Sequence, residues 1–230
     1  KEGILFKRRA EEILSLINIT EEEIARDSQE LEGTITIGGG ELKTVDYVCE
    51  KMAEFQKLYP KVFFNFNTTT SDIIKDQMDK GLLDIGILLE PIEIDRYDYF
   101  RLPVTENWCA LIQPDSNLAK KDFIEPSDLL NENIILPRRS NIKNELSSWF
   151  GKDITKLNIV ATHNLNSNTA VMVSKNVGTA LTIETELINS FYGIKVLKLK
   201  PELTARTVVA WKKNIPMNSA TTRFIDFLRE

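Results

Sequence analysis

The sequence predicts an α/β protein of two similar, doubly wound halves with a cleft between them, entered through one long helix. Three observations carry that expectation. Residues 31–67 read as strand, glycine turn, helix, strand, the order of a right-handed crossover between parallel strands. From Ile134 the same order returns as strand, polar turn, helix, strand, polar turn, helix, glycine, strand. Residues 1–31 differ from both, with no proline, dense charge and apolar residues at heptad spacing.

Taken every seventh residue, Gly3, Ala10, Ile17, Ile24 and Leu31 line up, with Phe6 and Ile13 between them, and the seam fades toward Thr20 and Asp27. Such a helix either pairs with a second helix or lies on its own domain; the reading adopted is a dimerising linker over 1–31. Glu32-Gly33 ends it, since glycine suits the position just past a helix. Thr34-Ile35-Thr36-Ile37 alternates polar and apolar β-branched residues, as a half-buried strand does. Gly38-Gly39-Gly40 permits a sharp turn. Val45, Val48, Cys49, Met52 and Phe55 then share one helix face, which Tyr59-Pro60 terminates. Residues 62–66 form a second strand. A hydroxyl-rich turn over 67–72 starts the next helix, with Ser71 as its N-cap. Residues 84–89 are a third strand, broken at Glu90-Pro91.

A short strand over 99–102 should end at Pro103, and 107–113 should be a strand already in the second half. There 134–136, 158–161 and 179–182 are strands, with helices over 142–150 and 169–175. Residues 195–199 add a strand, 206–211 return to the first half, and a closing helix over 219–228 turns Phe224, Ile225 and Leu228 inward. The plan is a linker helix at 1–31, one subdomain from 33–104 with 203–230, and another from 105–202. Clefts between such halves hold small ligands.

Composition narrows the function classes. With 42% hydrophobic and 27% charged residues the chain is ordinary for a globular protein. No apolar run reaches the roughly 18 residues of a membrane span, and the first residues lack the apolar core of a signal peptide. A net charge of −5 disfavours direct grip on nucleic acid. Cys49 and Cys109 both read as core positions, so a disulfide is not needed and a cytoplasmic setting is expected.

Catalysis is poorly supplied. His163 is the only histidine, and no Ser/His or Cys/His spacing, Walker loop or zinc-type cysteine pair is present. His163 itself reads as structural or exposed. The consecutive glycines lack GxGxxG spacing, so no dinucleotide is expected; they serve turn geometry or the approach of a ligand. The turn at 68–71 offers hydroxyls and free helix donors to the cleft, a setting for a carboxylate or other anion. Arg138, Arg139 and Ser140 occupy the matching turn of the second half, with Asn166 and Ser167 at the next. Arginine there either takes a carboxylate in a forked pair or is plain surface arginine. Glu41 and Glu90, near the same mouth, either repel an anion or hold a cationic group.

The ordered motifs also carry a resemblance. Gly3, Phe6, Ala10 and Ile13-Leu14 fit a linker-helix pattern. Leu31-Glu32-Gly33-Thr34-Ile35-Thr36-Ile37-Gly38 fits "L-x-G-x-L-x-I-G", and Phe55, Tyr59-Pro60, Ser71, Gly81 and Leu83-Asp84-Ile85-Gly86-Ile87 follow in register. Ile135-Leu136-Pro137, Val177-Gly178-Thr179-Ala180-Leu181 and Phe224-Ile225-Asp226-Phe227-Leu228 complete the set. Together they resemble a bacterial LysR-type transcriptional regulator from its linker helix through its effector-binding domain, without the winged helix-turn-helix. The resemblance implies a periplasmic-binding-protein-like (type 2) fold and a homodimer or tetramer. It implies an effector in the cleft that alters DNA bending by the winged helix-turn-helix domain; the residues of the two turns point to a small polar effector, a carboxylate or other anion by preference. No cofactor, metal or catalytic residue is implied. Carried over by position, ligand contacts come from Gly40, Thr70, Ser71, Arg138, Arg139, Ser140 and Asn166. The family often has serine near Gly40, where this chain has only backbone donors. The rival expectations are a transporter's solute-binding protein and an enzyme on the same fold.

Overall fold

A computed structural model describes residues 31–93, 95–138, 140–151, 154, 157–191 and 193–230. Apart from Leu31, the linker helix expected over 1–31 lies outside the described residues. The elements run β1 (Gly33–Gly39), α1 (Thr44–Leu58), β2 (Val62–Thr68), α2 (Ser71–Asp79), β3 (Ile85–Leu89), β4 (Tyr97–Ile112), β5 (Phe123–Ile124) and β6 (Ile134–Pro137). They continue with α3 (Ser140–Phe150), β7 (Ile159–His163), α4 (Asn166–Ser174), β8 (Thr179–Ile183), α5 (Glu186–Asn189), β9 (Lys195–Leu199), β10 (Thr204–Lys212) and α6 (Ser219–Phe227). No described helix is long and apolar enough to cross a membrane.

The strand order is β2-β1-β3-β10-β4-β8-β6-β7. β1 and β3 are parallel, and β6 is parallel to both β7 and β8. Between these sets, β10 runs antiparallel to β3 and β4, and β4 antiparallel to β8. Parallel strands need crossover helices, which explains the alternation of strand and helix in the sequence.

The described residues gather into two compact units. The smaller comprises 31–35, Cys49–Asn65 and Pro216–Glu230. Its centre is aromatic: the Phe55 ring lies 4.6 Å from Tyr59, 5.1 Å from Phe224 and 5.4 Å from Phe227 between centroids, and Phe64 lies 4.9 Å from Phe224. Edge-on and tilted ring pairs of this kind add to plain area burial. Phe224, Ile225 and Leu228 are buried as the helical spacing predicts.

The larger unit, Thr36–Val48 and Phe66–Ile215, carries most of the sheet. One core in it joins Trp108, Ala110 and Ile112 of β4 to Ile134, Leu136, Leu146, Leu181 and Ile183. On the opposite face of β4, Cys109 and Leu111 pack with Ile135, Val173 and Ala180. Asp84 locks the start of β3 to β1: its carboxylate accepts from the Thr36 N–H at 2.7 Å and the Thr36 hydroxyl at 2.6 Å.

Several expectations need correction. The strands expected at 99–102 and 107–113 are one strand, β4, which runs through Pro103. Against β10 the register jumps from Thr105↔Arg206 to Arg101↔Val208, so residues 102–104 face Thr207 alone. Pro103 therefore falls at an irregularity where its missing N–H leaves no gap in a regular ladder. Gly38 and Gly39 belong to β1 rather than to a turn, pairing with Gly86 and Ile87. A Cβ on Gly38 would meet Leu83 Cδ1 at 2.5 Å, and one on Gly39 would meet Phe66 Cζ at 2.9 Å. The close approach expected there is to the protein's own side chains. Cys49 is exposed, not core; the buried positions of its face are Val48 and Phe55.

Candidate functional site

In α/β sheets ligands gather beyond the carboxyl ends of parallel strands, and a cavity of about 330 Å³ lies there in the larger unit. Its wall comes from the residues after β1, β2, β6 and β7 and from the last residues of β3 and β8, with Trp108 of β4. Of the residues expected from sequence, Gly40, Thr70, Ser71, Arg138 and Asn166 all line it. Arg139 lies outside the described residues, and Ser140 is the first residue of α3.

The β2–α2 connection supplies donors. Thr70, not Ser71, is the N-cap: its ψ of 153° is extended, and its carbonyl accepts the Ile74 N–H at 2.9 Å. Ser71 stands inside the first turn, where its hydroxyl does not cap the helix. The Thr70 side chain makes no capping bond either. A helix start has N–H groups without intrahelical partners and a positive dipole end, so α2 presents an open set of donors to the cavity. Thr69 N–H donates to the Gly39 carbonyl at 2.9 Å and fixes the turn beside β1.

The β6–α3 connection brings Arg138. Its backbone N–H donates to the His163 carbonyl at 2.8 Å, while its exposed guanidinium makes no ion pair with any described residue. Arginine so placed offers two parallel donors to a carboxylate.

The β7–α4 connection is organised differently. The expected polar turn over 166–168 is already helix, with Leu165 as N-cap and no side-chain cap of its own. Glu41 fills the role from the β1–α1 loop: its Oε2 accepts the backbone N–H of Asn166 and, at 3.3 Å, that of Ser167. Asn166 is itself bound within the wall. Its Nδ2 donates to the Ile183 carbonyl at 3.2 Å, and its Oδ1 accepts the Thr182 hydroxyl. A second resident carboxylate lies nearby. Glu106, fully buried, accepts from the backbone N–H groups of Lys43 and Thr44 at 2.9 Å each and from the Thr207 hydroxyl at 3.2 Å, which closes the start of α1. Glu90, expected at the same mouth, instead pairs with Arg101 at 2.9 Å in a separate groove.

Sequence reasoning missed two wall residues. His163 is buried, and its Nε2 lies 3.1 Å from the Leu181 carbonyl. Burial pulls its pKa below the usual histidine value, partly opposed by that carbonyl and by the Glu41 charge. Trp108 is buried too, and neither its Nε1 nor His163 Nδ1 has a hydrogen-bond partner among the described residues. Position at the end of the strand before α4 was the available signal for His163; Trp108, in mid-strand, carried none. Burial pushes the Cys109 thiol far up, which keeps it protonated and unreactive. Among the described residues no three His, Cys, Asp or Glu side chains are grouped to hold a metal ion.

Comparison with known proteins places this architecture. The model of the LysR substrate binding domain matches residues 28–230. The chain belongs to that family. YtlI of Bacillus subtilis strain 168, an HTH-type transcriptional regulator, is 22% identical over 204 residues, covering 86% of this chain and 65% of that protein. The HTH-type regulator MJ0300 of Methanocaldococcus jannaschii is 25% identical over 190 residues, covering 81% and 63%. The match thus spans less than two thirds of these relatives' length. Among solved structures, the effector binding domain of QuiR in complex with shikimate superposes with a TM-score of 0.76 at 20% identity, over 86% of this chain and 96% of that one. HinK, a LysR family regulator from Pseudomonas aeruginosa, gives 0.71 at 22% identity over 100% and 79%. The periplasmic-binding-protein-like α/β fold expected from sequence is therefore the fold of this LysR domain.

Proposed function

We propose that this chain is the effector-sensing part of a longer, cytoplasmic LysR-type transcription regulator and performs no catalysis. A small polar molecule binds in the cavity at the strand ends, and the response reaches DNA through a winged helix-turn-helix domain. The helix over 1–31 joins two copies, and the subdomains 33–104 with 203–230 and 105–202 supply the two walls. Binding favours whichever arrangement of the walls holds the ligand better. The observation that carries this reading is the open start of α2, with Thr70 and Ser71, in the same cavity as the guanidinium of Arg138. Those donors suit an anionic group, with the Gly40 backbone beside them; Asn166 holds the wall, and Arg139 and Ser140 are offered as further contacts. Two relatives of the same fold hold small molecules, shikimate in QuiR and 2-PG in the Synechocystis CcmR domain.

Thermal unfolding against carboxylates, phosphates, amines and amino acids tests it. A ligand of the folded state raises the midpoint as its concentration passes its dissociation constant. Ser71→Ala and Arg138→Ala should each weaken the hit about tenfold, the scale of one lost charge-assisted hydrogen bond. Unchanged affinity in both variants would remove the site assignment.

A further inference from the structure

The cavity wall offers groups of two opposite kinds. Donors come from the start of α2, the Thr70 and Ser71 hydroxyls and Arg138. The acceptor comes from Glu41. Glu41 is pinned by Oε2 to the start of α4, while its Oε1 takes no hydrogen bond from the described residues. The His163 Nε2 faces the Leu181 carbonyl, which can only accept, so the ring proton sits on Nε2 and Nδ1 keeps a lone pair. That Nδ1 is without a partner among the described residues and is itself closed off from solvent, so it is not presented to a ligand. The charged groups among the described wall residues are Glu41 and Asp72 against Arg138. A bare carboxylate would deepen this negative balance. A ligand with its own cation would not, and would supply a donor for Glu41 Oε1.

We propose that the ligand is an amino-carboxylate, an amino acid or close relative. Its carboxylate takes the open start of α2 with Arg138, and its ammonium is held by Glu41 Oε1. Glu41 is then the specificity residue. It closes one helix start to anions and turns the same carboxylate into a cation site. This rests on the cavity being the effector site.

The test is thermal unfolding and calorimetric titration of the full chain with the common α-amino acids, each beside its deaminated acid and its decarboxylated amine. At least one amino acid should bind, and its deaminated acid should bind about tenfold or more weakly, as expected for a lost charge-assisted contact. Glu41→Gln keeps an oxygen for the Asn166 and Ser167 N–H groups but removes the charge. It should erase the preference for the amine by weakening binding of the amino acid and strengthening that of the deaminated acid, with the free protein's midpoint nearly unchanged. If deaminated acids bind as tightly as amino acids, or Glu41→Gln keeps the preference, the inference fails while the effector site stands. If no compound of any class binds, both fail.

Discussion

Helices α2 and α4 invite comparison, because they are built alike and used differently. Each has nine residues, follows a β-strand and opens on the same cavity, and neither N-cap residue, Thr70 or Leu165, caps with its side chain. Yet α4 is closed by Glu41 from a distant loop, and α2 has no capping side chain. The capacity of a helix start to hold an anion is therefore not set by the helix. It is set by whether another part of the chain has already delivered a carboxylate. The start of α1, closed by the buried Glu106, is the extreme case.

The sharpest break of this comparison is Glu106→Ala against Glu41→Ala. The first strands several buried donors and should cost on the order of 3 kcal/mol or more of unfolding free energy. The second removes a half-exposed cap and should cost about 1 kcal/mol. Urea denaturation of both variants checks the order; equal losses would mean that burial does not separate the two carboxylates. A smaller effect concerns the wall of α4. The folded pKa of His163 is lowered from 6.5. Its contribution to stability is thus complete above about 6.5 and is lost as pH falls through the lowered folded value, because the unfolded chain takes up the proton first. The groups acting on the ring are the Leu181 carbonyl and Glu41, and both oppose the shift that burial imposes. His163→Gln should flatten the stability profile in that acid window and leave it unchanged near neutrality. The smallest effect is expected at Gly40→Ser, on the α2 side. A Cβ there meets Leu42 Cγ at 3.6 Å, an ordinary contact, so the midpoint should stay within about 0.5 kcal/mol of the parent. The variant adds a hydroxyl beside the open donors. A large loss would show that Gly40 is needed for its backbone.

How much of this was legible in the sequence follows the range of the interactions. The order of strands and helices could be read because periodicity, glycine stops and proline breaks act within a few residues. The apolar faces around Phe55 and Phe224 were visible for the same reason. The start of α4 was not, since its cap comes from Glu41, 125 residues earlier. Nor was the closure of α1 by Glu106, 62 residues from Thr44. Pro103 was misread as a break because its effect depends on the register of β10, which has no local trace. The donors at Thr70, Ser71 and Arg138 were legible as strand-to-helix turns. Glu41 was legible as a possible holder of a cationic group, but its capping of α4 and the burial of His163 needed the packed wall.

The continuity of β4 has a mechanical consequence. The two parallel strand sets communicate through β4 and β10, two paired ribbons, rather than through slack loops. A ribbon resists stretching and yields to torsion, and it yields first where the ladder is interrupted. That notch lies at 102–104 opposite Thr207, and Thr207 itself donates to Glu106. Torsion about the notch therefore acts on the start of α1 through Glu106. A twist small in angle would be felt first at the carboxylate that closes α1.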